Sequence, residues 1–450
     1  ELIKIAKAVA KCNGRSLLVG GAVRDHFIGR NISKDIDVEI YGISPEILES
    51  VLSNFGHLHA VGKSFGVLKL KTAGAEYDFS LPRSESKSGK GHRGFLVKTD
   101  SAMSYQKAAS RRDFTVNSIG YDLLTQDVLD PFDGLADLKC KVLRHIGPSF
   151  AEDPLRVLRA MQFSARLEFE IAPETLELCR ELDLAELSRE RIFEEFRKLF
   201  LKAKRPSIGL EAAKKLGILR YFPELKALIG VPQDPEWHPE GDVWIHTLLV
   251  MDEAAQLRKG DEKQDLELMF SALCHDFGKP LTTKFLRGRW RSPAHDVKGV
   301  VPTEQFLRRM TDDRILIEEV TTLVKEHLRP VQLFKERERI NAGTIRRLAL
   351  RVRIPELVLL ARADYFGRTL SENERTHFEA GDWLLDEAER MDLRNKAPGP
   401  LLLGRHLLAL GVTPGPEMGL ILKEAFESQL NGDFQKEEDA IAWAKSYLSN

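Results

Sequence analysis

The sequence predicts an α+β fold, with a sheet-and-helix head over the first 140 or so residues and an almost wholly helical remainder. Three observations carry this. Short β-type runs bounded by turn residues crowd the start of the chain. From Glu152 onward the apolar residues recur at threes and fours, the spacing of one helix face. A length of 450 residues exceeds the roughly 100–200 of one domain, so two to four are expected. The divisions fall at 1–140, 141–230, 231–370 and 371–450.

In the head, Leu17-Leu18-Val19 and Ile36-Asp37-Val38-Glu39-Ile40 read as short strands. Gly66-Val67-Leu68-Lys69-Leu70-Lys71 and Tyr77-Asp78-Phe79-Ser80-Leu81 alternate as half-buried strands do. Between Pro82 and Gly94 the composition turns to Ser, Lys, Gly and Arg. Arg83 to Arg93 is read as a mobile loop or, equally, a hairpin connection. Beyond the head, Leu155, Leu158, Met161, Phe163 and Leu167 mark one helix. Ser188 with Glu190 and the run Arg191 to Phe196 marks the start of another. Pro206 breaks the pattern, and the prolines at 223, 232, 235 and 239 suit a linker into a further helical domain.

Composition narrows the function classes. Hydrophobic residues make up 43% and charged residues 30%, a globular balance that excludes wholesale disorder. Lys and Arg number 67 against 68 Asp and Glu, so any nucleic acid has to be held by local basic surface. Residues 189–215 carry nine Lys/Arg against four Glu, and 335–353 carry seven against two. Such stretches suit phosphate contacts or, equally, ordinary solvated helix faces. Cys12, Cys140, Cys179 and Cys274 form no CxxC pair, which excludes a disulfide framework and a Cys-type zinc module and suits a reducing cytosol. No uncharged apolar run approaches the ~18 residues of a membrane span, and no signal peptide is visible at the start. A soluble cytoplasmic protein without a membrane partner is expected.

The first chemical constellation lies in the head. Val19-Gly20-Gly21-Ala22-Val23-Arg24-Asp25 follows a strand and opens a helix. Paired glycines let backbone approach a phosphate, and helix-start amides with Arg24 suit its oxygens. Asp35-Ile36-Asp37 follows within a β-type run. Residues i and i+2 of a strand face one way, and two adjacent carboxylates repel unless a cation sits between them. Magnesium with substrate phosphates meets that need; a solvated strand edge is the plain alternative. A phosphate cradle followed by a strand-borne DxD is what two-metal nucleotidyl transfer requires, and Asp78 offers a third carboxylate. Arg111-Arg112-Asp113-Phe114-Thr115-Val116-Asn117 follows, then Glu152-Asp153-Pro154-Leu155-Arg156 with Arg159. Asp153, Arg156 and Arg159 share one helix face. They suit either a capping acid with a salt bridge or an acceptor and donor fork reading a base edge.

These motifs, with Asp130-Pro131-Phe132-Asp133-Gly134-Leu135-Ala136-Asp137-Leu138 between the last two, stand in the order found in bacterial class II tRNA nucleotidyltransferases. Those are the CCA-adding enzymes of the polymerase-β-like superfamily, and the resemblance covers about the first 230 residues. It implies a polymerase-β-like head and a helical neck, with the tRNA 3′ end, ATP and CTP as partners and no DNA. It implies that Asp35 and Asp37 hold Mg2+ and that Gly20, Gly21 and Arg24 hold the triphosphate. Arg112 with Asp113 then contacts phosphate and ribose, Asp153 and Arg156 pair with the incoming base, and Arg159 assists at base or phosphate. The 82–94 segment becomes the loop that helps switch specificity from C to A.

A second constellation, His246, His275-Asp276, His295, His327 and Asp364, lies downstream. Imidazoles with carboxylates suit Mn, Fe, Co, Ni or Zn. The series resembles the HD metal-dependent phosphohydrolase domain that some bacterial tRNA nucleotidyltransferases carry, associated there with phosphatase and 2′,3′-cyclic phosphodiesterase activity. The likeness carries over to His246, His275, Asp276 and Asp364, with His295 and His327 as further candidates; a structural remnant is the alternative. Thr413 to Gly419 is similar to the tail of HD-bearing members. Rival readings are a poly(A) polymerase, a CC-only or A-only enzyme, and a phosphohydrolase with a catalytically silent RNA-binding head.

Overall fold

The computed structural model describes residues 1–30, 35–61, 67–72, 74–87, 95–369, 376–394 and 397–449. Two compact units, 1–221 and 222–450, divide the chain.

The first unit is built on strands β1 (Arg15–Val19), β2 (Asp35–Tyr41), β3 (His57–Val61), β4 (Val67–Lys71) and β5 (Glu76–Ser80). They are followed by β6 (Arg83–Lys87), β7 (Phe95–Thr99), β8 (Gly120–Asp122) and β9 (Val128–Leu129). Seven form one sheet in the order β3-β4-β5-β2-β1-β8-β9, while β6 and β7 pair separately. β2 and β5 run parallel; the other pairs in this sheet are antiparallel. Alternation along β2 sorts its side chains between faces. Val38 and Ile40 enter a core with Ile5, Leu48, Leu70 and Phe79, beneath α1 (Leu2–Lys11) and α3 (Pro45–Leu52). Asp37, Glu39 and Tyr41 therefore belong to the opposite face. α2 (Gly21–Phe27) springs from the end of β1.

Helices complete this unit: α4 (Tyr105–Ala109), α5 (Gly134–Cys140), α6 (Leu155–Leu167), α7 (Pro173–Glu181), α8 (Arg189–Lys202) and α9 (Pro206–Lys215). α6 packs against α8 and α9. Its Phe163 carries the guanidinium groups of Arg24, Arg159 and Arg166 at 5.2, 5.1 and 5.2 Å from the ring centre.

The second unit is mainly helical, around buried Trp244, Phe270, Phe277 and Phe306. A tail cluster of Leu402, Leu407, Ile421, Ala425 and Phe434 packs separately, and its helix Pro416–Asn431 starts within the Pro-Gly-Pro turn. No described helix is long and apolar enough to cross a membrane.

Of the two readings of the 82–94 segment, the loop gives way for its first residues. Arg83–Lys87 is a strand paired with Phe95–Thr99, in keeping with the hairpin alternative; Arg-Ser-Glu-Ser-Lys has no apolar alternation to announce it, and pairing with the strand that follows decides. The rest of that segment, 88–94, lies outside the described residues. The helical remainder also contains a hairpin, Lys284–Leu286 with Arg289–Arg291.

Phe163→Ala is expected to cost about 3–5 kcal/mol, because it removes a buried ring on which three cations rest. Urea denaturation checks this; an unchanged midpoint would show that the ring does not hold α6 and α2 together.

Candidate active sites in the two units

In the head, the sheet register assembles the acidic site. Val19 pairs with Asp37, and Asp37 lies opposite Asp78 across the parallel β2–β5 pair. Asp37, Glu39 and Asp78 line a cavity of about 460 Å³ together with Arg83, Arg111, Arg112 and Arg156. Lys69 Nζ is 3.1 Å from Asp78 Oδ2. Glu39, missed in the sequence although it continues the i, i+2 series, is buried and accepts a 2.7 Å hydrogen bond from Tyr41 Oη. Burial and then the Glu39 carboxylate push the Tyr41 hydroxyl well above its ordinary pKa, so it stays a donor. Asp35 heads β2 opposite Glu76; its side chain lies outside the described residues.

Gly20 has φ +72°, and a Cβ there would stand 3.3 Å from Arg112 Nη1 and 3.6 Å from Asp37 Oδ2. Glycine is favoured by the positive φ, while a Cβ would crowd only the Arg112 guanidinium and meet Asp37 at ordinary contact distance. Gly21 opens α2.

The arginines divide by what they bond. Arg112 lines the cavity, with Nη2 3.8 Å from Glu39. Arg24 is buried, donating to Asn117 Oδ1 at 2.6 Å and to Asp25 Oδ1 at 2.9 and 2.7 Å. Asp113 is also buried; its Oδ2 accepts from Arg159 Nε and Nη2 at 2.7 and 2.6 Å, and its Oδ1 from Asn117 at 2.9 Å. Burial by itself would raise the Asp113 pKa, but Arg159 and Asn117 hold it below the usual carboxylate value. The Arg156 amide donates to the Asp153 carbonyl at 3.0 Å, but their side chains take other partners. Asp153 accepts from Arg191 Nη2 at 2.7 Å and weakly from the Leu155 amide at 3.2 Å. Arg156 donates to the carbonyls of Ser149 and Arg111 at 2.7 and 2.5 Å. Of this motif, Arg156 reaches the cavity.

Part of each basic stretch is spent on ion pairs. Lys198 binds Glu195, Arg347 binds Glu427, and Arg351 and Arg353 bind Glu326 and Glu267.

In the second unit, five segments bring the His/Asp series together. His246 sits on Val243–Gln256, capped by Asp242. His275 and His327 each stand just past a helix end, while His295 begins a short helix and Asp364 lies on Ile354–Phe366. His275, His295 and His327 share one device: Nδ1 meets the carbonyl three residues back, of Ala272, Ser292 and Val324, at 2.8, 2.8 and 2.6 Å. That contact sets the tautomer and leaves Nε2 for the site. His246 does this differently, with Nδ1 2.9 Å from Glu240 Oε1. The Nε2 atoms converge on two carboxylates: His246 to Asp364 at 3.0 Å, His275 to Asp276 at 3.2 Å, and His295 to Asp276 at 3.5 Å.

Among the described residues, His327 Nε2 and Asp276 Oδ1 are buried without a hydrogen bond, whereas Asp276 Oδ2 has Lys279 Nζ 2.8 Å and His275 Nε2 3.2 Å away. Buried polar atoms left so are costly, and a metal ion is the partner this donor set fits. His246, His275 and Asp276 offer ligand atoms within 4.8 Å of one another, as do Asp276, His295 and His327. Burial opposes ionisation of Asp276, yet His275 and Lys279 hold it well below the usual carboxylate range. Burial, with His295 and His275 nearby, lowers His327 to about 4, leaving it neutral and able to ligate.

Sequence reasoning missed His238, Glu240 and Lys279. His238 Nδ1 lies 2.9 Å from Glu240 Oε1, and Lys279 Nζ lies 2.8 Å from Asp276 Oδ2. Lys279 follows the His-Asp doublet closely enough to have been suspected; Glu240 sits in a Pro/Gly segment with no periodic signal.

Comparison with known proteins matches three domain families along the chain. The poly A polymerase head domain family matches residues 16–144, the family described as a probable RNA and SrmB-binding site of polymerase A matches 168–229, and the HD domain family matches 243–369. The multifunctional CCA protein of Xylella fastidiosa (strain 9a5c) is 40% identical over 370 residues, covering 79% of this chain and 84% of that protein. Its counterpart in Xanthomonas campestris pv. campestris (strain B100) is 39% identical over 371 residues, covering 79% and 86%. In fold, the chain is similar to the Bacillus stearothermophilus CCA-adding enzyme in complex with CTP, with TM-score 0.68, 20% identity and coverage of 100% and 97%. It is also similar to the Thermotoga maritima CCA-adding enzyme complexed with tRNA, with TM-score 0.59, 20% identity and coverage of 99% and 94%.

Gly278 packs so closely that a Cβ would lie 2.0 Å from the His295 carbonyl oxygen and 2.7 Å from the Gly299 amide. Gly278→Ala is expected to displace His295, costing about 1–3 kcal/mol and weakening Mn binding. A thermal melt with equilibrium dialysis checks both; unchanged Mn affinity would show that His295 is not a ligand.

Proposed function

This chain belongs to the bacterial multifunctional CCA proteins, class II CCA-adding enzymes with a polymerase head, an RNA-binding domain and an HD domain, and from that membership we propose how its residues divide two activities. The head adds CCA to the 3′ end of tRNA from CTP and ATP. The HD cluster hydrolyses phosphate esters, including 2′,3′-cyclic phosphates. Both belong in the cytoplasm. Within the two units, residues 1–140 act as the catalytic head, 141–230 as the neck, 231–370 as the HD domain and 371–450 as the tail.

The observation that carries the head reading is the register placing Asp37 opposite Asp78 in a cavity with four arginines. In the reaction, the primer's 3′ hydroxyl attacks the α-phosphate of CTP or ATP, forming a phosphodiester and releasing pyrophosphate. Asp35 and Asp37 are the residues to hold Mg2+, an ion suited to carboxylate oxygens and phosphates. When bound, it activates the hydroxyl and offsets triphosphate charge. Arg112, beside Gly20, is placed to take phosphate oxygens. Asp113 is occupied by Arg159, so we assign it to positioning that side chain on α6 rather than to direct ribose contact. Arg24 similarly braces α2 through Asn117. In the HD cluster, His246, His275, Asp276 and Asp364 suit one transition-metal ion, with His295 and His327 reaching the far side of Asp276. Such an ion, when bound, activates water for attack on phosphorus. Lys279 offsets part of the charge on Asp276.

The two sites are expected to separate by mutation. With tRNA transcripts ending before CCA and with CTP, ATP or both, Asp37→Ala should abolish extension while Mn-, Co- or Ni-stimulated phosphatase persists. Asp276→Ala should do the reverse. Near-native extension by D37A would overturn the head assignment.

We assign base reading to Arg156 and Asp153, with Arg191 holding the aspartate. Asp153→Ala is expected to narrow the preference for CTP and ATP over UTP and GTP about ten- to hundredfold, the weight of about 1–3 kcal/mol in base readout. Incorporation of all four nucleotides alongside a thermal melt tests this. A less stable variant with native selectivity would reduce Asp153 to a brace for Arg191.

A further inference from the structure

The mouth of the HD cleft carries a feature that phosphate-ester hydrolysis alone does not require. Trp237 and Trp290 line the same cavity as Asp276, His295, His327 and Asp364, yet they are 54% and 38% exposed. Trp290 stands on the hairpin Lys284–Leu286/Arg289–Arg291, every residue of which is exposed. Arg287 and Gly288 turn it with φ +53° and +79°, the paired positive angles of a tight hairpin turn. Phe285 lies directly across from Trp290 and meets it edge-on at 5.2 Å. The hairpin is tied at its base by Thr283 and Ser292, whose hydroxyls are 2.8 Å apart. Arg289 binds Glu236 at 2.7 Å, anchoring the segment that bears Trp237. The tryptophans thus stand at the cleft mouth beside one ion pair and one hydroxyl contact, and both remain partly exposed.

Charge adds a second, independent observation. Residues 284–291 contain Lys284, Arg287, Arg289 and Arg291 and no acid. Lys284 and Arg291 stand opposite each other across the strands, on the hairpin face away from Phe285 and Trp290, an arrangement of like charges that disfavours the hairpin by itself. Exposed aromatic planes interleaved with cations are what single-stranded nucleic acid binds, through base stacking and backbone contact.

We propose that this hairpin and Trp237 form a subsite for the end of an RNA strand: the tryptophans stack the terminal base, whose phosphate enters the HD cleft, while the upstream strand crosses the hairpin edge to meet Lys284 and Arg291 on its other face. The proposal rests on the phosphohydrolase reading above and deepens it. It makes the substrate a polynucleotide end rather than any small phosphate ester.

Three substrates separate the possibilities: bis-p-nitrophenyl phosphate, 2′,3′-cyclic AMP, and an oligoribonucleotide ending in a 2′,3′-cyclic phosphate. Trp290→Ala in the full chain should raise KM for both nucleotide substrates about ten- to hundredfold, with little change in kcat and less than about threefold effect on the nitrophenyl ester. Trp290→Phe should restore most of the loss. The double variant Lys284→Ala/Arg291→Ala should weaken the oligonucleotide alone and flatten its salt dependence. Equal losses on all three substrates, or none on the nucleotides, would overturn the proposal. Should wild-type protein hydrolyse none of them with Mn, Co or Ni, the phosphohydrolase reading fails by itself. Binding then decides the subsite separately: an oligoribonucleotide with a 3′-phosphate should quench indole emission of metal-free wild-type protein more than that of W290F, and equal quenching would overturn it.

Discussion

Asp37 and Asp78 stand opposite each other on adjacent parallel strands, with Glu39 two residues further along β2. Carboxylates so grouped raise one another's cost of ionisation unless positive charge is brought to them. The first unit supplies that charge in graded form: Lys69 at 3.1 Å from Asp78, Arg112 near Glu39, and further arginines around the cavity. The sheet pays for this crowding with its other face, where Val38, Ile40 and Phe79 are buried in a continuous apolar core.

The second unit meets the same repulsion with imidazoles. Asp276 and Asp364 are both held well below the ordinary carboxylate range in spite of burial, Asp276 by His275 and Lys279, Asp364 chiefly by His246. Three histidines are aimed by carbonyls of their own helical turn or the bend before it, so their orientation comes from local backbone. His246 lacks that local acceptor and depends on Glu240. Its aim therefore rests on the segment just before its own helix.

Arginines show how similar residues acquire different work. Arg24 and Arg159 are tied to Asn117 and Asp113 and share the Phe163 ring. They connect the glycine turn, the Arg-Arg-Asp motif and α6. Arg112 and Arg156 extend from the same framework to the cavity. A charge in a motif can serve the ligand or the residue beside it, and the number of buried acceptors within reach decides which.

The sequence by itself determined the order of the motifs, the strand alternation about Asp37, the helical period of α6 and the His/Asp series of the second unit. Those features are local or depend on residue type, and periods of two and 3.6 residues can be read from neighbours. Tertiary structure alone decided that Asp78 stands beside Asp37, because strand pairing joins residues 41 apart in the chain. It also decided that Asp153 turns to Arg191 rather than Arg156, that Glu240 aims His246, and that Arg83–Lys87 pairs as a strand. In each case the deciding partner lies outside the segment that carries the residue, where no local pattern can record it.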